Sequence, residues 1–174
     1  MKYEIDYYEK MLRQYSETGE KIAQIRWRFI SEINPRIVLD YGSGVGWFRA
    51  WRPPGIEVDS YDIGPVPQTD IRLIMYDVTC FWDVLEHVPS TKILEPVFSL
   101  SRHIALTVPI KPTRTSLLDW KHYKPGEHLH YFTHDSIQDL LGGYGFDLLR
   151  ESKAECPPRT DIHSFLFKKR RCDK

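Results

Sequence analysis

The stretch IVLDYGSGVGWF, residues 37–48, decides the fold, because an apolar run ends in an acid and glycines follow it at alternate positions. The run RIVLDYG is continuously apolar and β-rich, which is typical of a strand buried on both faces. Gly42 and Gly44 lack Cβ atoms, so they permit a tight turn and a close approach of the backbone to a ligand. We therefore predict a ligand-binding loop at the end of a central strand.

Strands and helices alternate outward from this stretch. We predict two helices over residues 1–34 with a break at Thr18–Gly19, further helices to about Trp51, over 91–101 and from Thr133, and strands at IEVDSYDIG, MYDVTCFWDV, HIALTVPI, FDLLRES and HSFLFKK. Such alternation predicts an α/β sheet with helices on both faces.

Composition limits the classes of function. The chain of 174 residues predicts a single domain, 1–174. The formal net charge of zero argues against attraction to nucleic acid or to an anionic membrane. No run of about 18 apolar residues predicts a membrane span. Cys80, Cys156 and Cys172 are far apart and odd in number, which predicts reduced thiols and a cytoplasmic location.

The spacing of the glycines excludes two common nucleotide loops. A dinucleotide fingerprint G-x-G-x-x-G starting at Gly42 requires glycine at position 47, where the chain has Trp47. The P-loop pattern G-x-x-x-x-G-K is also missing. The observed pattern is D-x-G-x-G-x-G, which leaves a different ligand to be identified.

Four motifs in order resemble those of another family. VLDYGSGVG is similar to the first motif of class I S-adenosylmethionine-dependent methyltransferases, VDSYD to their second, FWDVLEHVP to a fourth-strand motif D-V-L-E-H, and TVPI to their fifth strand. GEHLHYFTHDSIQDLLGGYGF resembles the segment before their last helix, so the resemblance spans about residues 36–150. It implies a Rossmann-like doubly wound sheet, mostly parallel with an antiparallel C-terminal strand, with S-adenosylmethionine as methyl donor and a small-molecule acceptor. It also implies that residues 1–34 are N-terminal helices, 36–110 the cofactor-binding half and 111–174 the acceptor side.

The resemblance assigns two acids to the cofactor. Asp62, beside Ile63 at the end of the second predicted strand, is suited to accept both ribose hydroxyls, although an ordinary turn aspartate is the alternative. Asp40 either braces the glycine loop or reaches the ammonium of the methionine part through water. Both roles remain open.

The glycine loop itself is assigned to the zwitterionic methionine part. The N–H groups of Gly42, Ser43 and Gly44 are suited to meet the carboxylate, and backbone carbonyls near Tyr41 and Gly42 to meet the ammonium. Trp82 and Asp83, at the end of the fourth-strand motif, complete the predicted cofactor site.

The chain departs from the family pattern between the second and fourth strands. Residues 63–75 must replace a helix, a strand and another helix, although one crossover helix already needs about 10–12 residues. We expect an abbreviated adenine side in which QTDIR is a remnant third strand and Asp70 and Ile71 contact adenine. Trp82 or Phe81 either covers the adenine or belongs to the core.

Three histidines are candidates for catalysis. His87 follows the fourth-strand motif, and His128 and His130 lie in the segment expected to fold over the pocket. Each is either a general base, since histidine titrates near neutrality, or a hydrogen-bonded structural residue. No metal is predicted, because magnesium prefers oxygen ligands and the two histidines of HLH, which could be joined by Glu127 or Asp83, have no clear third partner.

Two other functions are compatible with the motifs. A nucleic-acid methyltransferase is disfavoured by the zero net charge and by DVLE standing where N/D-P-P-Y/F is expected. A non-catalytic protein that kept the cofactor pocket remains open. Aromatic residues either line an acceptor pocket or hold a lid in place, namely Tyr7, Tyr8, Trp120, Tyr123 and Tyr131.

Overall fold

A computed structural model describes residues 5–14, 18–66, 68–155, 159 and 161–171. The helices are α1 (Ile5–Gln14), α2 (Gly19–Ile30), α3 (Trp47–Ala50), α4 (Glu95–Ser99) and α5 (His134–Gly143), with 3₁₀ turns at Ser31–Ile33 and Thr91–Leu94. The strands are β1 (Ile37–Tyr41), β2 (Glu57–Tyr61), β3 (Val78–Trp82), β4 (His103–Pro109), β5 (Phe146–Ser152) and β6 (Ile162–Lys169). The predicted break between two N-terminal helices is confirmed.

The six strands form one sheet in the order β2-β1-β3-β4-β6-β5. β2, β1, β3 and β4 are parallel, whereas β6 lies antiparallel to both of its neighbours, β4 and β5. The predicted fold, a mostly parallel Rossmann-like sheet with an antiparallel C-terminal strand, is confirmed. The chain leaves β1 first toward β2 and later toward β3, so the strand order reverses there, and ligands of open α/β sheets bind at such a reversal.

Helices cover both faces of the sheet, as the continuous apolar strands predict. Successive side chains of a strand point to opposite faces, so each central strand serves two cores. On one face α2 and α3 pack through Trp27, Ile30 and Phe48 against Val38, Cys80, Trp82 and Ala105. On the other face α4 and α5 pack through Phe98, Ile137 and Leu141 against Leu39, Phe81, Leu106 and Phe165.

The link between β2 and β3 is abbreviated, as predicted. Residues 63–66 and 68–75 contain neither a helix nor a strand. The expectation that QTDIR is a remnant strand is wrong. Thr69 bonds the sheet edge, donating its N–H to Ser60 O at 2.7 Å and accepting the Ser60 N–H at Oγ1 at 2.8 Å. Arg72 reaches the same edge through its side chain, donating to Asp59 Oδ2 at 2.7 Å and to Glu57 Oε2 at 3.1 Å. Too few residues are present to lay down a further strand and return.

Among the residues that the structure describes, no helix is long and apolar enough to cross a bilayer.

Candidate active site

Two adjoining cavities open where β1, β2 and β3 end. The smaller, about 110 Å³, lies between α2, the glycine loop and the end of β3. The larger, about 350 Å³, is bounded by α1, the end of β2 and the loop after β3. Both are lined by Met11, Gly42, Gly44, Trp82 and Asp83, so they form one continuous cleft. This is the strand-order reversal at which the sequence places the ligand.

The glycine loop has the left-handed backbone conformation that its glycines predict. Gly42, Gly44 and Gly46 have φ angles of 79°, 53° and 81°, in the left-handed region that side chains rarely adopt. At Gly42 a Cβ would also lie 2.4 Å from Val84 Cγ2. The turn therefore requires glycine at position 42 both for its backbone conformation and for its contact with the loop after β3.

The N–H groups of the loop have acceptors within the protein. Gly42 and Ser43 both donate to Tyr61 O, at 2.7 and 3.0 Å, and Gly44 donates to Asp62 Oδ2 at 2.7 Å. These amides tie the loop to the end of β2, and their contact with a ligand carboxylate stays a prediction. The carboxyl end of β2 supplies the acceptors, Tyr61 O and Asp62 Oδ2, and these hydrogen bonds fix the conformation of the loop.

Asp62 lies at the end of β2 beside the loop, as predicted, and its carboxylate is buried. It accepts three hydrogen bonds: from Gly44 N, from Gly64 N at 2.8 Å, and from the Tyr8 hydroxyl at 2.7 Å. Tyr8 belongs to α1 and fills the space that Gly64 leaves, because a Cβ at Gly64 would lie 1.8 Å from the Tyr8 oxygen. Helix α1 thus covers the edge of the cleft that the short link leaves uncovered.

The wall of the smaller cavity carries buried polar atoms that have no hydrogen-bond partner among the residues the structure describes. They are Asp40 Oδ2, Ser43 Oγ, Trp47 Nε1 and Trp82 Nε1. Burial raises the pKa of Asp40 to about 7, with Arg26 lowering it and Asp62 raising it in smaller measure. Because an unpaired buried polar group is costly, such a set indicates a polar ligand with both donor and acceptor groups.

A network of four charged side chains closes one side of this cavity. Arg26 of α2 donates to Asp83 Oδ2 at 2.9 Å and to Glu155 Oε1 at 2.8 Å. Arg159 donates to Asp83 Oδ1 at 2.6 Å and to Glu155 Oε2 at 2.9 Å. Burial alone would raise the pKa of Asp83, but Arg159 and Arg26 hold it below its ordinary value. Asp83 therefore stays ionised, which makes it an acceptor of hydrogen bonds and a poor general acid.

His87 is the one of the three candidate histidines that lines the cleft. Its Nδ1 lies 3.0 Å from Glu127 O. A carbonyl oxygen only accepts, so Nδ1 carries a proton, and in the neutral ring Nε2 has the lone pair. The ring is thereby oriented with a basic nitrogen, which is the state that a general base requires.

His128 and His130 do not line the cleft. Burial, and then His87 and Lys124, lower the pKa of His128 to about 4, and its ring packs edge-on against His87 at 4.8 Å. His130 Nε2 lies 2.9 Å from Val88 O, and the backbone N–H of His130 donates to Glu86 O. Their segment packs against the loop after β3 and does not line the cleft, so the expectation that it closes over the pocket is wrong. The ring of His130 has a structural partner, whereas His128 Nδ1 is buried without a hydrogen-bond partner among the described residues.

One group of residues beside the cleft could hold a cation. Glu86, His87 and His128 each offer a ligand atom, and these atoms lie within 4.8 Å of one another. Burial, and then the charge of Asp83, raise the pKa of Glu86 well above its ordinary range. The absence of a metal at the cleft stays a prediction.

The remaining residues predicted for the cofactor site lie in different places. Ile63 lines the larger cavity, whereas Asp70 is exposed and Ile71 packs against the core beneath α4 and α5; neither contributes to the cleft. Trp82 lines the cleft, but Phe81 points to the opposite face and is a core residue. Of the candidate aromatics, Tyr7 and Tyr8 line the cleft. Trp120, Tyr123 and Tyr131 pack on each other elsewhere.

Sequence reasoning missed the partners that converge from distant segments. Arg26 and Glu155 are 129 positions apart, and Tyr8 and Asp62 are 54 apart. Arg26, Glu155 and Tyr8 belong to no motif with characteristic spacing. The one local signal was at Arg26, a charge flanked by Ile22, Ala23 and Trp27 on the packed side of α2, because a cation there needs a buried anion.

Comparisons with known proteins agree with this geometry. The sequence profile of a family described as a methyltransferase domain matches residues 8–151. The solved structure of 1,6-didemethyltoxoflavin-N1-methyltransferase from Burkholderia thailandensis, with bound 1,6-didemethyltoxoflavin and S-adenosylhomocysteine, has a TM-score of 0.70 at 15% identity, covering 96% of this chain and 85% of that one. Magnesium protoporphyrin IX methyltransferase from Synechocystis, with bound S-adenosylhomocysteine, has a TM-score of 0.61 at 19% identity over 90% and 84%. Mitomycin 7-O-methyltransferase has a TM-score of 0.71 at 12% identity, covering 95% of this chain and 58% of that one. No curated protein sequence matches the chain.

Proposed function

The chain belongs to the family of methyltransferase domains, whose profile covers most of its length, and on that premise we propose that it transfers a methyl group from S-adenosylmethionine to a small organic molecule. S-adenosylmethionine supplies a methyl group on a sulfonium, which a well-placed acceptor can displace in line. Holding the two reactants in contact accounts for most of the acceleration in such a reaction. The residues of the cleft accordingly act mainly by binding and orienting.

The unpartnered polar atoms of the smaller cavity carry this proposal. The methionine part of the donor has an ammonium, which needs acceptors, and a carboxylate, which needs donors. Asp40 Oδ2 is a buried acceptor, Trp47 Nε1 and Trp82 Nε1 are buried donors, and Ser43 Oγ serves as either. A dinucleotide phosphate would use only the donors and would leave the buried acceptor Asp40 Oδ2 without a partner.

The larger cavity suits the nucleoside and the acceptor. Asp62 stands at one side of it, where its carboxylate can accept ribose hydroxyls once the Tyr8 hydroxyl moves away. Its volume of about 350 Å³ lies at the lower end of the range for small-molecule sites. Two of the similar structures belong to enzymes named for small acceptors, a toxoflavin precursor and mitomycin. Together with the zero net charge, this favours a small molecule over a nucleic acid as acceptor.

His87 is proposed as the base when the acceptor must lose a proton. Nδ1 donates to Glu127 O, so in the neutral ring Nε2 is the nitrogen with the lone pair. His130 lacks this freedom, since its Nε2 is engaged by Val88 O. An acceptor that is already nucleophilic needs no base, and positioning then suffices.

We also propose a cytoplasmic location, on the cysteine pattern. Cys80 is a buried free thiol, as expected for a reducing compartment. Cys156 and Cys172 lie outside the described residues.

Calorimetric titration with S-adenosylmethionine and with S-adenosylhomocysteine tests the proposal. We expect dissociation constants in the micromolar range, which correspond to a binding free energy of about −8 kcal/mol. Asp62→Asn should weaken binding by about 1.5–3 kcal/mol through hydrogen bonds lost from a charged group. The exposed Asp70→Asn is the matched control and should bind as the wild type does. No heat with either ligand would refute donor binding. If binding is found, incubating labelled donor with metabolite extracts would identify the acceptor.

A further inference from the structure

Three side chains from separate elements converge on one point outside the cleft. His134 is the first residue of α5, Glu151 belongs to β5 and His163 to β6. His134 Nε2 lies 2.9 Å from Glu151 Oε1 and 3.1 Å from His163 Nδ1, and the latter nitrogen lies 2.5 Å from Glu151 Oε1. None of the three lines the cleft.

We propose that His134, Glu151 and His163 bind a zinc ion. Two imidazole nitrogens and one carboxylate oxygen are a donor set that suits zinc and its neighbours, whereas magnesium and calcium prefer oxygen alone. Tetrahedral zinc with bonds of about 2.0–2.2 Å keeps its ligand atoms about 3.3–3.5 Å apart. The three atoms need to separate by only about 0.2–1 Å to reach that spacing, which small side-chain rotations provide.

The surroundings hold the ligands in place and leave room for a fourth. The rings of His134 and His163 lie 6.1 and 6.3 Å from the ring of the fully buried Phe165. Helix α5 starts with a capping box between Thr133 and Ser136, which sets the position of His134. The side chains of His163, Glu151 and His134 are 6%, 30% and 44% exposed, so the site opens to solvent on one side. A water molecule can complete a four-coordinate site there.

Such a site would join the start of α5 to the β5–β6 pair. It departs from the expectation that the chain has no metal ligands. The ligands are 12, 17 and 29 positions apart, with no motif spacing, so only the tertiary structure brings them together. The proposal is independent of methyl transfer, because no cleft residue takes part in it.

Zinc titration of the metal-depleted full-length chain tests the site, with stoichiometry from atomic emission and affinity from calorimetry. We expect His134→Gln and Glu151→Gln each to abolish one equivalent of zinc, or to weaken its binding at least tenfold. His103→Gln is the matched control, because His103 is a half-buried histidine on β4 whose Nδ1 bonds Asp77 O. It should retain wild-type binding.

Nitrogen NMR of the wild-type histidine rings gives a second measurement that does not depend on the variants folding. Zinc should shift His134 Nε2 and His163 Nδ1 specifically. Unchanged resonances of these two nitrogens, or wild-type zinc content in both glutamine variants, would overturn the proposal. Shifts confined to His87 and His128 would place the ion beside the cleft instead and would equally overturn it. A wild type that takes up no zinc has no such site.

Discussion

Replacing Tyr8 with phenylalanine should tighten binding of the methyl donor while it destabilises the free protein. The Tyr8 hydroxyl occupies Asp62 Oδ1, an oxygen proposed to receive a ribose hydroxyl, so donor binding must displace it. A hydrogen bond to a charged group contributes about 1.5–3 kcal/mol. Asp62 keeps the amides of Gly44 and Gly64 in the variant, so the lower value, about 1.5 kcal/mol, is the appropriate one. That corresponds to about tenfold tighter binding.

The assay is calorimetric titration with S-adenosylhomocysteine, together with the free energy of unfolding from denaturant titration. Phenylalanine retains the ring that packs edge-on against Tyr7 at 5.3 Å, so the loss is confined to the hydroxyl. Tyr123→Phe is the control, because Tyr123 packs against Tyr131 away from the cleft, and it should leave affinity unchanged. Gly64→Ala places a methyl group 1.8 Å from the Tyr8 oxygen and should displace the ring, which again tightens binding.

An unchanged or weaker affinity in Tyr8→Phe would refute the competition between the tyrosine and the ribose. It would mean that the donor binds with the Tyr8–Asp62 bond intact. Tighter binding in Tyr8→Phe but not in Gly64→Ala would instead limit the effect to the hydroxyl and leave the position of α1 out of it.

Three further predictions follow from the cleft. Asp40 has a pKa of about 7 in the folded chain against an ordinary value of 3.8, so the folded state holds the extra proton between these values and stability falls as pH rises from about 4 to 7; Asp40→Asn should abolish up to about 4 kcal/mol of that loss in denaturant titrations, and an unchanged pH profile would contradict it. Gly42→Ala should lower the free energy of unfolding by about 1–3 kcal/mol, because its φ is 79° and its Cβ would meet Val84 at 2.4 Å; a melting temperature equal to that of the wild type would be the contrary result. For an acceptor that must lose a proton, His87→Ala should lower turnover by about 10²–10⁴-fold with donor affinity retained, whereas His130→Ala should act mainly on the melting temperature; equal turnover in the two variants would remove His87 from the base role.

The sequence predicts this fold well because its strands and helices follow from local patterns. Unbroken apolar runs specify strands buried on both faces, and capping residues and glycines mark where helices start and stop. The chain length between Asp62 and Tyr76 alone excludes a further strand with its crossover helices. The sequence also places Asp40 and Asp62 at the ends of adjacent strands, and the structure has them there.

The partners of those residues could not be predicted in the same way. The sequence favoured a structural role for His128 and did not choose between His87 and His130 as the base. Only the packing of their segment against the loop after β3 shows which one faces the cleft. The sequence suggested that the loop amides contact the ligand, and it gave no sign that they also donate hydrogen bonds to Tyr61 and Asp62 at the end of β2.

Local backbone hydrogen bonding and side-chain periodicity are properties of neighbouring residues, so the order of elements, the glycine turn and the positions of the acids can be determined from the sequence by itself. Arg26 with Asp83 and Glu155, or Tyr8 with Asp62, are pairs of distant residues without a pattern of their own. Their contacts depend on how whole helices dock on the sheet, because a buried charge takes whichever partner that packing brings within reach. Only the tertiary structure decided those contacts, and with them the charge and shape of the cleft.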